Sequence, residues 1–344
     1  MERVAYLARR LLLVIPTFLG ITIACFTLTR FLPGGPVEAR LIRLRAASDS
    51  HANVAATQVT ETYKKELEKA FGFDKPIPVQ YWDWLVTNRM GLKIKSYDSP
   101  DKTAWELIRS RLPVSIGFGL AAFVAMYLVC VPLGIAKALR HGGTFDAASS
   151  VVVFVAYAVP SFALAMMLKM CFCGTVDNLW NIFPLGGLAS DFDGPVSWWT
   201  VVCDRIWHMA LPVLCYVAGS FAMLTLLMKN SLLDQVSSDY VRTVIAKGAS
   251  RSRAVWCHAL RNALIPIATG FGPMIGLLFA GSIIIETIFE IPGMGRLSWD
   301  ALNGRDYAVF LALLALTALM GLIGNLISDF LYMVIDPRVD FSKR

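Results

Sequence analysis

The chain has 344 residues, of which 56% are hydrophobic and 17% charged, with a formal charge of +7. Its mean hydropathy of +0.58 excludes an ordinary soluble domain, which with so few charges would aggregate. The basic residues are spread over segments that flank apolar runs instead of forming one face, which argues against nucleic-acid binding.

Six stretches lack Asp, Glu, Lys and Arg and are long enough to cross about 30 Å of hydrocarbon. They are 11–29, 112–136, 147–168, 206–228, 262–285 and 307–328. The expected fold is therefore an all-α integral membrane protein with six transmembrane helices. Residues 1–31 hold the N-terminus and the first span, 32–111 a long external segment, and 112–344 a five-span core. The first apolar run lacks a small-residue cleavage site and reads as an uncleaved span. With the N-terminus inside, the inner segments carry 14 basic and 7 acidic residues, and the two short outer loops carry 4 and 8. That asymmetry follows the positive-inside rule and places both termini in the cytoplasm.

Arg9-Arg10 anchors the first helix, which ends at Phe31-Leu32-Pro33-Gly34-Gly35-Pro36. Residues 46–60 are small and polar and read as a loose insertion; 61–70 reads as helix, with Glu61 four residues before Lys65. Tyr81-Trp82-Asp83-Trp84 is an aromatic cluster suited to the outer interface. Spans two to five contain Pro132, Pro160, Pro212 and Pro273, which fit either a moving joint or ordinary bundle kinks. Gly272, Gly276 and Ala280 repeat every four residues, allowing close packing within the chain or a dimer seam, the former being preferred. Cys171, Cys173 and Cys203 fall near the outer surface, where both a disulfide and unpaired apolar thiols remain open readings.

The long polar interruption of the second half is 229–261, the start of a hairpin running to Pro266. Ser238 and Asp239 suit the start of a helix over 240–247, and Gly248 suits its left-handed end. Ser250 suits the cap of a second helix over 251–260. A basic loop drawn to membrane lipid would explain the charge but neither Gly248 nor the caps. No span core contains an ionisable carboxylate, lysine or arginine, and no P-loop, metal-ligand cluster or catalytic pair occurs. No catalytic residue, metal or cofactor is therefore expected, and the energy source is sought in another subunit.

The hairpin resembles the EAA loop of membrane permeases of ABC importers, in the form used by the oligopeptide/dipeptide permease family. The resemblance is carried by Asp239-Tyr240-Val241-Arg242-Thr243-Val244-Ile245-Ala246-Lys247-Gly248 and by His258-Ala259-Leu260-Arg261-Asn262-Ala263-Leu264-Ile265-Pro266. It continues in Pro292-Gly293-Met294-Gly295, Arg305-Asp306-Tyr307, Phe71-Gly72-Phe73-Asp74-Lys75-Pro76 and the tail Asp336-Pro337-Arg338-Val339-Asp340. Pro33-Gly34-Gly35-Pro36-Val37 and Thr225 with Lys229-Asn230-Ser231 are most like its YejB-type branch. One departure is that Arg242-Thr243-Val244 stands where the general motif has Glu-Ala-Ala.

The resemblance implies a multi-pass protein of the bacterial inner membrane that imports peptides. It would act beside a second permease chain, usually a different one, with a cytoplasmic ABC ATPase and a periplasmic peptide-binding protein. The second helix of the hairpin would then be the coupling helix. On that reading Arg242, Lys247, Gly248, Ala249, Ser250, Arg251, Val255 and Trp256 meet the ATPase. Glu290, Pro292, Gly293 and Met294 would meet the binding protein, the rival reading of that loop being a tight turn. The competing functions are an ATP-independent channel or carrier subunit and a structural membrane partner; copurification of an ATPase would separate them.

Overall fold

The computed structural model describes residues 2–31, 34–47, 55–174, 180–192 and 194–335. Leu32, Pro33, the middle of the expected insertion (48–54) and the tail motif at 336–340 lie outside the described residues. Among the described residues the regular elements are helical, with isolated bridges at Lys95–Thr103 and Cys173–Asn181. Among the described residues, four helices are long and apolar enough to cross a membrane, and two bent pairs bring the number to six if each pair is one span.

The helices are α1 (Glu2–Phe31), α2 (Pro36–Ala47), α3 (Ala55–Ala70), α4 (Ile77–Trp82) and α5 (Ala104–Leu139). Next come α6 (Thr144–Ala158), α7 (Ser161–Phe172), α8 (Trp198–Val236) and α9 (Asp239–Ala246). Then follow α10 (Arg251–Arg253), α11 (Leu260–Ala263), α12 (Ile265–Thr269), α13 (Phe271–Ala280), α14 (Ile283–Ile288), α15 (Met294–Asn303) and α16 (Tyr307–Ile335). The expectation of a loose stretch at 46–60 fails where it is described: α2 reaches Ala47 and α3 begins at Ala55.

The chain forms two compact units. One comprises Leu12–Pro113 and Leu297–Leu319. Its core joins Phe26, Trp84, Leu311 and Ala315, and Thr22 and Tyr81 share a hydroxyl hydrogen bond of 2.8 Å. The aromatic cluster expected at an interface therefore turns partly inward: Trp84 is buried, whereas Trp82 is exposed. Asp306 anchors this unit by accepting from Ser96 Oγ and, at 3.3 Å, from the Val309 amide at the start of α16.

The other unit comprises Met1–Leu11, Val114–Arg296 and Met320–Arg344. Between α6 and α7 the chain bends by 95°. The cause is Pro160, whose ring disfavours helical geometry at Val159 (ψ 119°) and ends α6 there. Pro212, by contrast, is accommodated inside α8. Gly272 and Gly276 pack against α16: a Cβ on Gly272 would strike the Gly324 carbonyl, and one on Gly276 would lie 3.1 Å from Gly321 Cα. The glycine repeat thus has a packing partner within the chain. All seven cysteines are free thiols.

A 39-residue α8 is about 58 Å long, roughly twice the hydrocarbon thickness. Its last turns therefore extend past a bilayer and carry the hairpin. Residues facing lipid need no partner, and large apolar side chains such as Leu128, Val151, Val155 and Met223 are exposed along α5, α6 and α8.

Candidate coupling hairpin and outer loop

The hairpin is built by two caps and one shared core. Ser238 occupies the cap position of α9 with extended backbone (ψ 153°), but its hydroxyl donates backwards to the Gln235 carbonyl at 2.5 Å and caps nothing. The far end of α9 is closed as the sequence predicts. Gly248 has φ +93°, its amide donates to Ile245 O at 2.9 Å, and the Ala249 amide donates to Val244 O at 3.2 Å. This pair of bonds is a Schellman motif, which satisfies two of the last carbonyls of the helix. Ser250 then caps the next helix by accepting from the Arg253 amide at 3.3 Å.

That second helix departs from the expected regular form. After α10 the chain makes a π-helical segment over Ala254–Ala259 before resuming as α11. The extra residue per turn buries Ala254, Val255 and Ala259 and leaves Trp256, Cys257 and His258 exposed. Such insertions concentrate at functional places because they re-aim side chains at a cost in hydrogen bonding. The helix does not lie apart from the membrane segment either: Arg251–Thr269 runs on as half of a bent candidate span.

Val241, Ala254, Val255, Ala259 and Ala263 share one buried cluster with Met228, Leu232 and Ile267. Ser231 Oγ adds a 2.8 Å bond to the Ala263 carbonyl. The hairpin is thereby fixed to the end of α8. Of the residues expected at the coupling surface, Arg242, Lys247, Gly248, Ser250, Arg251 and Trp256 are exposed and Ala249 is half-buried. Val255 is 6% exposed, so the structure corrects its place: it packs the hairpin from inside. Tyr240 and Ile245, not among the expected contacts, are exposed beside Arg242 and enlarge the apolar part of the surface.

Beneath the hairpin lies a charge cluster that falls just outside the charge-free stretches. Asp146, at the start of α6, accepts from Lys229 through both oxygens at 2.8 Å and lies 3.1 Å from Lys137. Lys137 is 0% exposed and also donates to Ser149 Oγ (2.9 Å) and Ser150 Oγ (2.8 Å). These bonds join the ends of α5, α6 and α8.

The outer loop is organised by a buried carboxylate, Glu286 of α14. Its oxygens accept from the amides of Arg296 (2.8 Å) and Ser282 (3.2 Å) and from Ser115 Oγ (3.4 Å). Ser115 Oγ in turn accepts from the Met294 amide at 2.7 Å. Two of the glycines around it are explained by that carboxylate. A Cβ on Gly293 would sit 2.5 Å from its carbon and one on Gly281 would strike Oε1, whereas one on Gly295 would meet the Ser282–Ile283 backbone at 2.7 Å. Of the expected binding-protein contacts, Glu290 is exposed and Pro292 half-buried, while Gly293 and Met294 are buried. The latter two wrap Glu286 rather than form an outer surface. Lys169 fastens the loop by donating to Ile288 O at 2.7 Å and Glu290 Oε1 at 3.3 Å.

Comparison with known proteins agrees with this architecture. Residues 130–341 match the family described as the binding-protein-dependent transport system inner membrane component. The chain is 37% identical to the inner membrane ABC transporter permease protein YejB of Escherichia coli O157:H7, over 99% of its own length and 100% of that protein. It is 36% identical to the peptidoglycan transport system permease protein YejB of Agrobacterium fabrum, over 99% of both chains. With the dipeptide transport system permease protein DppB of Escherichia coli K12 it shares 32% identity over 98% of its length and 99% of that protein.

Proposed function

Because the chain belongs to the family of inner membrane components of binding-protein-dependent transport systems, we propose that it forms half of a peptide-import pathway driven by a cytoplasmic ABC ATPase. The other half is a second permease chain, and a periplasmic binding protein delivers the peptide. The peptide class follows from the names of the similar permeases, one of them a dipeptide permease. Both termini and the hairpin lie in the cytoplasm.

The observation that carries this reading is the hairpin. It is closed by a Schellman motif, packed onto α8, and presents Tyr240, Arg242, Ile245, Arg251 and Trp256 outward. An amphipathic helix offered in this way suits a groove on a partner. Because Val241 and Val255 anchor the surface to a long span, a displacement of the hairpin is passed to α8 instead of being absorbed in a loop. Moving a two-state pathway from 1:99 to 99:1 takes about 5.5 kcal/mol of differential interaction. A hairpin that unfolded under load could not deliver it.

The test is hydrolysis by purified components in lipid nanodiscs. The isolated chain is expected to release no phosphate from ATP. The complex with its ATPase and second permease is expected to hydrolyse ATP faster when peptide-loaded binding protein is added. Hydrolysis by the isolated chain, or a complex that ignores peptide, would overturn the proposal.

A further inference from the structure

The unit built from Leu12–Pro113 and Leu297–Leu319 contains a cavity of about 680 Å³, a size typical of sites for small ligands. Its walls carry Arg30, Arg40, Lys69 and Lys95. The carboxylate there, Asp83, is taken by Lys75 at 2.6 Å. Arg30 lies over the rings of Phe26 (4.5 Å) and Phe73 (4.4 Å) and pairs with no carboxylate among the described residues. Tyr97, also in the wall, supplies no compensating negative charge, since burial pushes its phenol up to about 12. Positive charge held against low-dielectric aromatic walls focuses an attractive field on anions.

A second observation points to the same place. Among the described residues, four buried side-chain polar atoms lack a hydrogen-bond partner, and three belong to residues of this wall: Arg30 Nε, Gln80 Oε1 and Trp84 Nε1. Orphaned polar groups of this kind are rare in folded proteins and call for a partner. Arg30 Nε is an N–H donor and Gln80 Oε1 a carbonyl acceptor, whereas Trp84 Nε1 lies against Gly91 and is not counted toward the ligand. A peptide end presents a carboxylate, an amide N–H and a side chain together, which matches a cation, a carbonyl acceptor and an aromatic wall.

We propose that this cavity binds the free carboxylate end of a short peptide, with the cations on the carboxylate and the aromatic wall on the adjoining side chain. It rests on the peptide reading above and, in the topology proposed there, lies on the extracytoplasmic side, where it would receive peptide before translocation. The test uses the full chain in phosphatidylcholine nanodiscs and calorimetric titration with N-acetyl-Ala-Phe-Ala, as the free acid and as the C-terminal amide. Loss of one charge-assisted bond corresponds to about a tenfold change in affinity. The acid is therefore expected to bind about tenfold more tightly than the amide, and Arg30→Gln to erase that difference. Lys95→Gln, at an exposed position, is expected to narrow it without disturbing the fold. Equal binding of acid and amide, or a preference that survives both substitutions, overturns the site. Displacement of the peptide by phosphatidylglycerol in an Arg30-dependent manner assigns the cavity to a lipid phosphate and likewise overturns it. Peptide uptake by cells expressing the whole importer is read separately: uptake without a carboxylate preference at the cavity removes the site and leaves the transport function standing.

Discussion

Gly248 stands at φ +93°, and a Cβ built on it would meet nothing within 4 Å. The demand for glycine there is therefore conformational and owes nothing to crowding. A β-branched residue held at positive φ costs roughly 1–2 kcal/mol or more, while Asn tolerates that region and often closes helices. Gly248→Val is expected to cut peptide uptake at least about tenfold while the chain remains at its normal level in the membrane, because the spans do not depend on this turn. Gly248→Asn is expected to retain most uptake. Immunoblots of membranes beside uptake assays check both. Equal uptake by the valine variant would show that the Schellman turn does not hold the coupling surface in register. Glu286 shows the converse logic: the glycines of Pro292-Gly293-Met294-Gly295 are required by neighbours, since a side chain at Gly293 would occupy the space of the carboxylate and one at Gly295 would strike the Ser282–Ile283 backbone.

At the scale of elements, the cluster of Asp146, Lys137 and Lys229 ties three helix ends beneath the hairpin. A buried ion pair adds little net stability, but removing one partner strands the other and costs about 3–5 kcal/mol. Asp146→Asn is therefore expected to lower the thermal unfolding midpoint of the purified chain and to reduce uptake more than membrane level. Asp146→Glu should recover part of both. A midpoint unchanged by Asp146→Asn would mean that Ser149, Ser150 and the backbone carbonyl of residue 146 satisfy Lys137 without the carboxylate. The spans, the glycine cap and the Ser250 cap were legible because each depends on a few adjacent residues. The charge cluster was not, since Lys137 and Asp146 sit one residue beyond the ends of apolar stretches and look like ordinary flanking charges. The same holds for Glu286, the first residue after a charge-free run. Val255 looked like surface because the π-helical segment shifts which residues face α8, and no local pattern signals that insertion. The insertion at 46–60 reads as loose because its residues are small and polar, although its described ends belong to α2 and α3.

For the whole molecule, the proposed function requires the hairpin to lie on the cytoplasmic side of the membrane. The charge distribution argues for this, with 14 basic residues on the inner segments against 4 on the short outer loops. Two exposed native thiols report on it without redesign of the chain: Cys257 in the hairpin and Cys203 near the start of α8. α8 separates them by enough helix to cross the hydrocarbon, at about 1.5 Å per residue. A membrane-impermeant maleimide applied to spheroplasts is expected to modify Cys203 and to reach Cys257 only after permeabilisation. Cys203→Ser and Cys257→Ser identify each band on a gel. A docked ATPase could shield Cys257 even in permeabilised membranes, so the chain should also be labelled without its partners. Asp101→Cys gives an independent exposed probe on the long segment after α1 and should label from outside, as Cys203 does. Labelling of Cys257 in intact spheroplasts would invert the topology, placing the hairpin where no ATPase could reach it, and the coupling proposal would fall with it.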